Sequence, residues 1–470
     1  MMESTGPVAD RCPVRSWAVE DLPALDFDPF LRVSLREMPV SRIRLPHGEG
    51  DCWLVTGYDD VRFVTSDPRF SRDITGRPIP KMTKHFVPMD RAVSFVDPPG
   101  HARVRAVVAP AFTQSSMDRL RPRAQAVLDR LVDRLVAAGP PADLVRHVTS
   151  PFPLAMVSEL IGVPPADRTR MREWAQTLLT RASDEAAAER ARQVKETAGS
   201  YFRELAAQRR AEPQDDLMSV MVAAVDDGRI DEEELLALTT LMQFNGWHAV
   251  SNNTSNMVYA LLTQDGLMRR LRSEPELVPK AVEELLRWIP HKHGVGQPRI
   301  ATEDVEVGGF VIRRGQFVYV SYVAANWDQR VYPDPARIDF ERQGPRHLAF
   351  GHGPHYCLGP LLARMESEVL LSTLISRLPG LRLTVPAQQV RWQTDVLIRG
   401  PVDLPVAYDA AAAYRAPRSA TPYRTFASNA RRWKLTTGRS RCRLGRAPTG
   451  WARGWTGHAR MEWPDSAGDR

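Results

Sequence analysis

Leu120, Ala124, Val127, Leu128, Leu131 and Leu135 recur every three or four residues, the spacing of one buried helix face. Similar patterns predict helices over roughly 152–161, 166–181, 184–210, 215–225 and 276–288. Asp231 followed by Glu234 resembles a capping box, and the chain behind it predicts a long helix to about Gln264. Trp53-Leu54-Val55-Thr56-Gly57 reads as a strand and turn, followed by a short helix from Tyr58 to Ser66. Between 296 and 325 the pattern changes. Val305, Val307, Phe310, Val311, Ile312, Phe317, Val318 and Val320 surround Gly308-Gly309 and Gly315, which predicts short antiparallel strands. One more helix follows Gly359, and 379–407 reads as strand-rich. Residues 1–40 read as irregular and Pro-rich, and 71–95 as a long aperiodic loop of the kind that usually carries function. The class is mainly α with a small β portion and no repeats.

Composition adds limits. The 470 residues are 43% hydrophobic and 25% charged, which excludes wholesale disorder. No run of 18 apolar residues exists, so no transmembrane helix is expected. Met1 to Trp17 carries Glu3, Asp10 and Arg11 without an apolar stretch, so no secretory signal is expected. Four widely spaced cysteines exclude a disulfide scaffold and a cysteine-based zinc site, and fit a reducing cytoplasm. From Ala410 to Arg470 there are 13 Lys/Arg against 3 Asp/Glu, a net charge of +10, which leaves Met1–Asp409 at −3. The whole basic excess sits in the tail, so nucleic-acid binding is not expected of the main body. The tail holds Trp433, Trp451, Trp455 and Trp463 at no period and reads as disordered. The expected organisation is an irregular N-terminus (1–14), one folded domain (15–409) and the basic tail (410–470).

Candidate chemistry concentrates in Phe350-Gly351-His352-Gly353-Pro354-His355-Tyr356-Cys357-Leu358-Gly359. Glycines and a proline force a tight turn, and a solitary cysteine stands just before a helix, whose N-terminus favours the thiolate. Such a thiolate is a metal ligand or a nucleophile. A nucleophile needs a base and an oxyanion site, and nothing local supplies the set. Elsewhere a lone cysteine is commonly a small buried hydrophobe.

The loop resembles the haem-binding loop of the cytochrome P450 family, F-G-x-G-x-x-x-C-x-G. The resemblance spans roughly residues 15–408 and implies a P450 fold, haem b, and Cys357 as the axial ligand to iron, with Phe350, Gly351 and Gly359 shaping its seat. Ala281-Val282-Glu283-Glu284-Leu285-Leu286-Arg287 resembles the family's E-x-x-R helix, and Asp339-Phe340-Glu341-Arg342 matches the place of a third member. Glu284, Arg287 and Arg342 are therefore structural by resemblance. Asp97-Pro98-Pro99-Gly100-His101-Ala102-Arg103-Val104-Arg105 looks like the start of the propionate-binding helix, with His101 and Arg105 one turn apart. Arg299 and His355 would hold propionates by the same resemblance. The implied protein is a cytoplasmic, monomeric bacterial oxidoreductase. It would use dioxygen and electrons from NAD(P)H, relayed by ferredoxin reductase and ferredoxin, on a small-molecule substrate.

The sequence departs from the family at the long helix. Where A-G-x-[DE]-T is expected, it reads Asn245-Gly246-Trp247-His248-Ala249-Val250. Gly246 matches, His248 stands for the acid and Ala249 for the threonine. The 35-residue interval from Ala249 to Glu284 supports this register; a slip by two would make Ser251 the alcohol. Without a hydroxyl at 249, proton delivery falls to His248, to water or to the substrate, unless His248 merely packs. Some relatives without the pair couple or cyclise aromatic substrates. The reading is therefore oxidative C–C or C–N coupling or cyclisation of an indole- or phenol-bearing natural product such as a cyclic dipeptide. The alternatives are conventional hydroxylation of a small molecule and a non-catalytic haem-binding role. Pro360 is a second departure: it lacks the N–H that would donate to the thiolate, so Pro360→Ala is expected to raise the reduction potential, and an unchanged or lower potential would contradict this. By position, Asn245, Trp247, His291, Lys292 and His293 are candidate substrate contacts, with Phe86, Val87 and Met89 in the long loop. The basic tail could attract an acidic ferredoxin.

Overall fold

The computed structural model describes residues 12–82, 91–179, 184–290, 296–394, 396 and 398–413. The candidate contacts Phe86, Val87, Met89, His291, Lys292 and His293, and the basic tail beyond 413, lie outside the described residues.

Helices dominate. The amphipathic helix expected around Leu120–Leu135 spans Gln114–Ala138. Thr113 caps it by accepting the Ser116 amide, and Gly139 ends it at φ 75°, a conformation that favours glycine. Its buried stripe packs on Pro360–Arg377, the helix behind the cysteine loop. The long helix spans Glu232–Thr263 and opens on a complete Asp231/Glu234 capping box. It crosses the interior and packs along Pro151–Ile161. From Leu241 to Asn256 it is apolar or polar but almost everywhere buried, so its polar side chains need partners. Gln243 donates to Ser158 at 3.0 Å, and Ser255 and Thr149 share a hydrogen bond of 2.7 Å.

The main sheet orders its strands Val14–Ser16, Val40–Arg44, Cys52–Val55, Phe317–Val320, Arg299–Ala301 and Phe70–Ser71. Arg299 is paired with Val318, which carries its side chain from the sheet into the interior. Val305–Val307 and Phe310–Ile312 form a separate hairpin through Gly308 and Gly309.

Three expectations are corrected. The N-terminal 40 residues are not irregular throughout: Pro29–Glu37 is a helix, begun by the Asp28 carboxylate accepting the Phe30 amide at 2.7 Å with proline at the first position. The 296–325 stretch ends in a helical turn, Tyr322–Ala325, because the Ser321 hydroxyl caps it. The 379–407 stretch has only Arg382–Leu383 and Pro405–Ala407 as strands among the described residues, pairing with each other and with Ala142–Asp143.

Candidate active site

The cysteine loop is closed by its own backbone. The Cys357 amide donates to the Phe350 carbonyl at 2.8 Å, and the Tyr356 amide to that of Gly353 at 2.9 Å. Gly353 has φ 73°, and a Cβ there would lie 2.3 Å from the Thr65 carbonyl oxygen, so only glycine fits. Pro360 is the first residue of the following helix and Gly359 its cap, without a side-chain acceptor. Cys357 is exposed, whereas Cys12 and Cys52 are buried. Burial pushes the Cys52 thiol far up, so Cys357 is the cysteine with a reactive setting among the described residues.

A trio of charged side chains, two of them buried, braces the loop. Arg287 donates to Glu284 through Nε and Nη2 at 2.7 and 2.8 Å, and Arg342 Nε reaches the same carboxylate at 3.0 Å. Arg287 also donates to the Asn326 carbonyl at 2.9 Å, while the Asn326 side chain accepts the Leu348 amide at 2.6 Å. The connection thus runs from the helix Val278–Trp288 into the residues entering the cysteine loop. A second brace escaped the sequence reading: Arg364 forks onto Glu283 at 2.5 and 2.9 Å, with its guanidinium 4.6 Å from the Phe350 ring centroid.

Cations gather beside the loop. The His101 and His355 rings lie 4.4 Å apart, and Arg105 donates to the Cys357 carbonyl at 3.3 Å. Arg299 is buried, and neither terminal nitrogen has a hydrogen-bond partner among the described residues. Arg72 was not anticipated. It is buried, donates from Nε to the Ser94 carbonyl at 2.9 Å, and faces Arg299. Burial first, then Arg299, pushes its guanidinium down to about 9. Burial, then Arg72, His101, Arg299 and Arg105, pushes His355 down to about 2. Orphaned buried guanidinium N–H groups are costly, and such a cluster calls for anions. Among the described residues no three His, Cys, Asp or Glu side chains gather to hold a bare metal ion. A porphyrin with two carboxylates fits the exposed thiol and the unpartnered buried guanidinium together.

The long helix presents a narrow open stripe. Between Leu241 and Asn256 the partly exposed residues are Leu241, Asn245, Gly246, Ala249 and Val250. The Asn245 amide is turned back onto the Leu241 carbonyl at 3.3 Å. Trp247 is a correction: its indole donates to the Ser150 carbonyl at 2.9 Å and packs in the core with Phe244 and Met242, almost half a turn from Asn245 and Ala249 of the stripe. Ser251 is also buried away from it, so the slipped register brings no hydroxyl to the opening. His248 is buried, its Nε2 lying 3.3 Å from the Asn252 amide nitrogen.

Burial holds the His248 imidazole down to about 4, against its ordinary value near 6.5, with Gln393 opposing weakly. The sign follows from linkage. The unfolded chain protonates this group first, so its stability contribution is whole above about pH 6.5 and is lost as the pH falls toward about 4. On the order of 3 kcal/mol is at stake. In His248→Gln the acid limb of the unfolding free energy is expected to be shallower than in the parent protein; superimposable limbs would contradict the burial of a neutral imidazole.

The likenesses to known proteins agree with this geometry. A family model described as cytochrome P450 matches residues 156–391. The chain is 49% identical to biflaviolin synthase of Streptomyces coelicolor over 84% of this chain and 96% of the relative. It is 44% identical to nocardicin C N-oxygenase of Nocardia uniformis subsp. tsuyamanensis, over 85% and 100%. Among solved structures, cytochrome P450mel 107F1 with biaryl coupling reactivity matches with a TM-score of 0.81 and 42% identity, covering 84% of this chain and all of the other. No described helix is long and apolar enough to cross a membrane. A purely haem-binding, non-catalytic role is set aside, since these relatives are enzymes. With its single loop cysteine, its braced proximal helix and its cradle of cations, the chain belongs to the cytochrome P450 family, as a haem-thiolate oxidoreductase like the bacterial enzymes of secondary metabolism.

Proposed function

We propose that this chain joins two aromatic rings through a new C–C or C–N bond, acting on an indole- or phenol-bearing natural product such as a cyclic dipeptide. The carrying observation is the distal stripe: Ala249 stands on it where an alcohol would pass protons, and His248 beside it is buried. Among relatives, the names biflaviolin synthase and biaryl coupling reactivity support coupling. Bound haem supplies the dioxygen chemistry, with electrons that we assign to an NAD(P)H, ferredoxin reductase and ferredoxin chain.

The protein's own part is positional. Cys357 would ligate the iron. His101, Arg105, Arg299 and His355, joined by Arg72, would hold the propionates. Phe350, Gly351 and Gly359 shape the loop, and Glu284, Arg287 and Arg342 keep it in place. Asn245, Gly246, Ala249 and Val250 line the opposite wall. A wall with neither hydroxyl nor carboxyl at 248 and 249 offers few groups to move protons, which suits removal of hydrogen from the substrate better than insertion of oxygen. In balance, two C–H bonds break for a C–C link, or one C–H and one N–H for a C–N link, one new bond forms, and dioxygen with the two hydrogens released and two further electrons and protons leaves as two waters.

Oxygen insertion is the second reading, favoured by the likeness to nocardicin C N-oxygenase. The two separate in one experiment with 2-naphthol as probe phenol under 18O-labelled dioxygen. Coupling is expected to yield a dimer lacking two hydrogens and carrying no label. A labelled monomeric product without dimer would overturn the proposal.

A further inference from the structure

The polar residues that the long helix keeps buried beside its open stripe are not scattered. His248, Asn252 and Asn256 are four residues apart and form a column. At about 100° per residue, Asn252 stands roughly 20° and His248 roughly 60° from Asn245, on the side away from Gly246. Asn256 lies about 20° to the other side of Asn245, so the column runs along the same side of the helix as the stripe, and burial under the segment 391–402, not rotation about the axis, keeps it from lining the opening. Against it lie the described residues of the segment 391–402, whose two ends are paired: the Gln393 amide donates to the Gly400 carbonyl at 2.9 Å and the Val402 amide to that of Arg391 at 2.8 Å.

Several hydrogen bonds join column and hairpin, while His248 Nδ1 and Asn256 Oδ1 are buried with no hydrogen-bond partner among the described residues. Asn252 Nδ2 donates to the Ile398 carbonyl at 2.8 Å, and its Oδ1 accepts from Gln393 Nε2 at 3.2 Å. Gln393 Nε2 also reaches the Pro401 carbonyl at 3.2 Å, and Asn256 donates to that of Arg399 at 3.0 Å. Gly400 lies so close that a Cβ would sit 2.4 Å from Asn252 Cγ. The carbonyl of Ile398 can only accept, so it fixes which end of the Asn252 amide is nitrogen. That nitrogen faces His248 Nε2 at 3.3 Å, so Nε2 accepts and the ring proton is on Nδ1.

We propose that His248, Asn252 and Gln393 are positioning residues that clamp the 391–402 hairpin to the long helix and thereby set the width of the substrate opening. Val396 and Ile398 of that hairpin are buried and, among the described residues, belong to none of the apolar cores. They form an apolar edge whose placement depends on the clamp. His248, in this arrangement, is a spacer in a fixed neutral tautomer and no proton donor. The proposal holds for coupling and for oxygen insertion alike, since it concerns the wall and not the reaction.

The test uses haem-loaded protein and a width series of 4-arylimidazoles (phenyl, naphthyl, biphenyl), read by their spectral shifts. In Asn252→Ala and Gln393→Ala, the widest ligand is expected to gain about tenfold relative to phenylimidazole, the scale on which a pocket discriminates by one or two methylenes. General destabilisation would weaken all three together. An unchanged ranking in both variants would overturn the proposal. Should neither variant load haem, the 15N histidine spectrum of the parent protein decides, the His248 signal being identified by its loss in His248→Gln. A neutral imidazole protonated at Nδ1 at pH 7 supports the clamp, and one protonated at Nε2 or at both nitrogens overturns it.

Discussion

Replacing Arg287 by alanine is expected to cost about 3–5 kcal/mol of folding free energy, the range for removing one partner of a buried ion pair. Side-chain exposure is only 2% for Arg287 and 5% for Glu284, so water cannot take over the abandoned carboxylate. The guanidinium also serves the carbonyls of Asn326 and Pro335, at 2.9 and 3.0 Å. Its loss therefore frees the segment that carries Asn326 and, through it, the Leu348 amide at the entrance to the cysteine loop. Denaturant unfolding and haem content should fall together. Arg287→Lys is expected to rescue little, because a point charge cannot reproduce the two-pronged contact. A loss below about 1 kcal/mol with full haem content would place the trio among the weak surface pairs.

The second large effect is chemical and not structural. Cys357→Ala is expected to leave the fold within about 0.5 kcal/mol in the haem-free protein, the usual range for a surface substitution, because the side chain is exposed. In the haem-loaded protein, dioxygen-dependent turnover is expected to drop by more than the roughly 100-fold that outer-shell changes cost, since the thiolate is the group that favours O–O cleavage. A folded, pigmented and active alanine variant would remove the basis for assigning the site.

Much of this site was legible in the sequence where physics leaves little choice. Gly353 is forced by the Thr65 carbonyl that a side chain would strike, and Glu284 with Arg287 had to pair because both are buried. Residues two apart on a helix are harder. Ala249 reaches the open stripe, whereas Trp247 turns into the core, and the register alone does not say which. Arg72 was hidden because nothing local marks it: its role arises only when the chain brings it against Arg299, more than two hundred residues on. Glu283 and Arg364 each read as ordinary charged residues on a helix surface and become a brace only once the two helices meet. Gln393 and Gly400 share this character, since their partner Asn252 lies on a distant helix. The helix Pro29–Glu37 carried its start signal in Asp28-Pro29, but a short helix in a Pro-rich stretch offers too few turns for a periodicity to emerge.

Whether the sulfur of Cys357 binds haem iron is tested most directly by the absorption spectrum of the reduced, haem-loaded protein under carbon monoxide. Thiolate ligation predicts a Soret maximum displaced strongly to the red, abolished in Cys357→Ala. A maximum at the position given by a histidine-ligated haem in the parent protein, or an unaltered red-displaced band in the alanine variant, would contradict it.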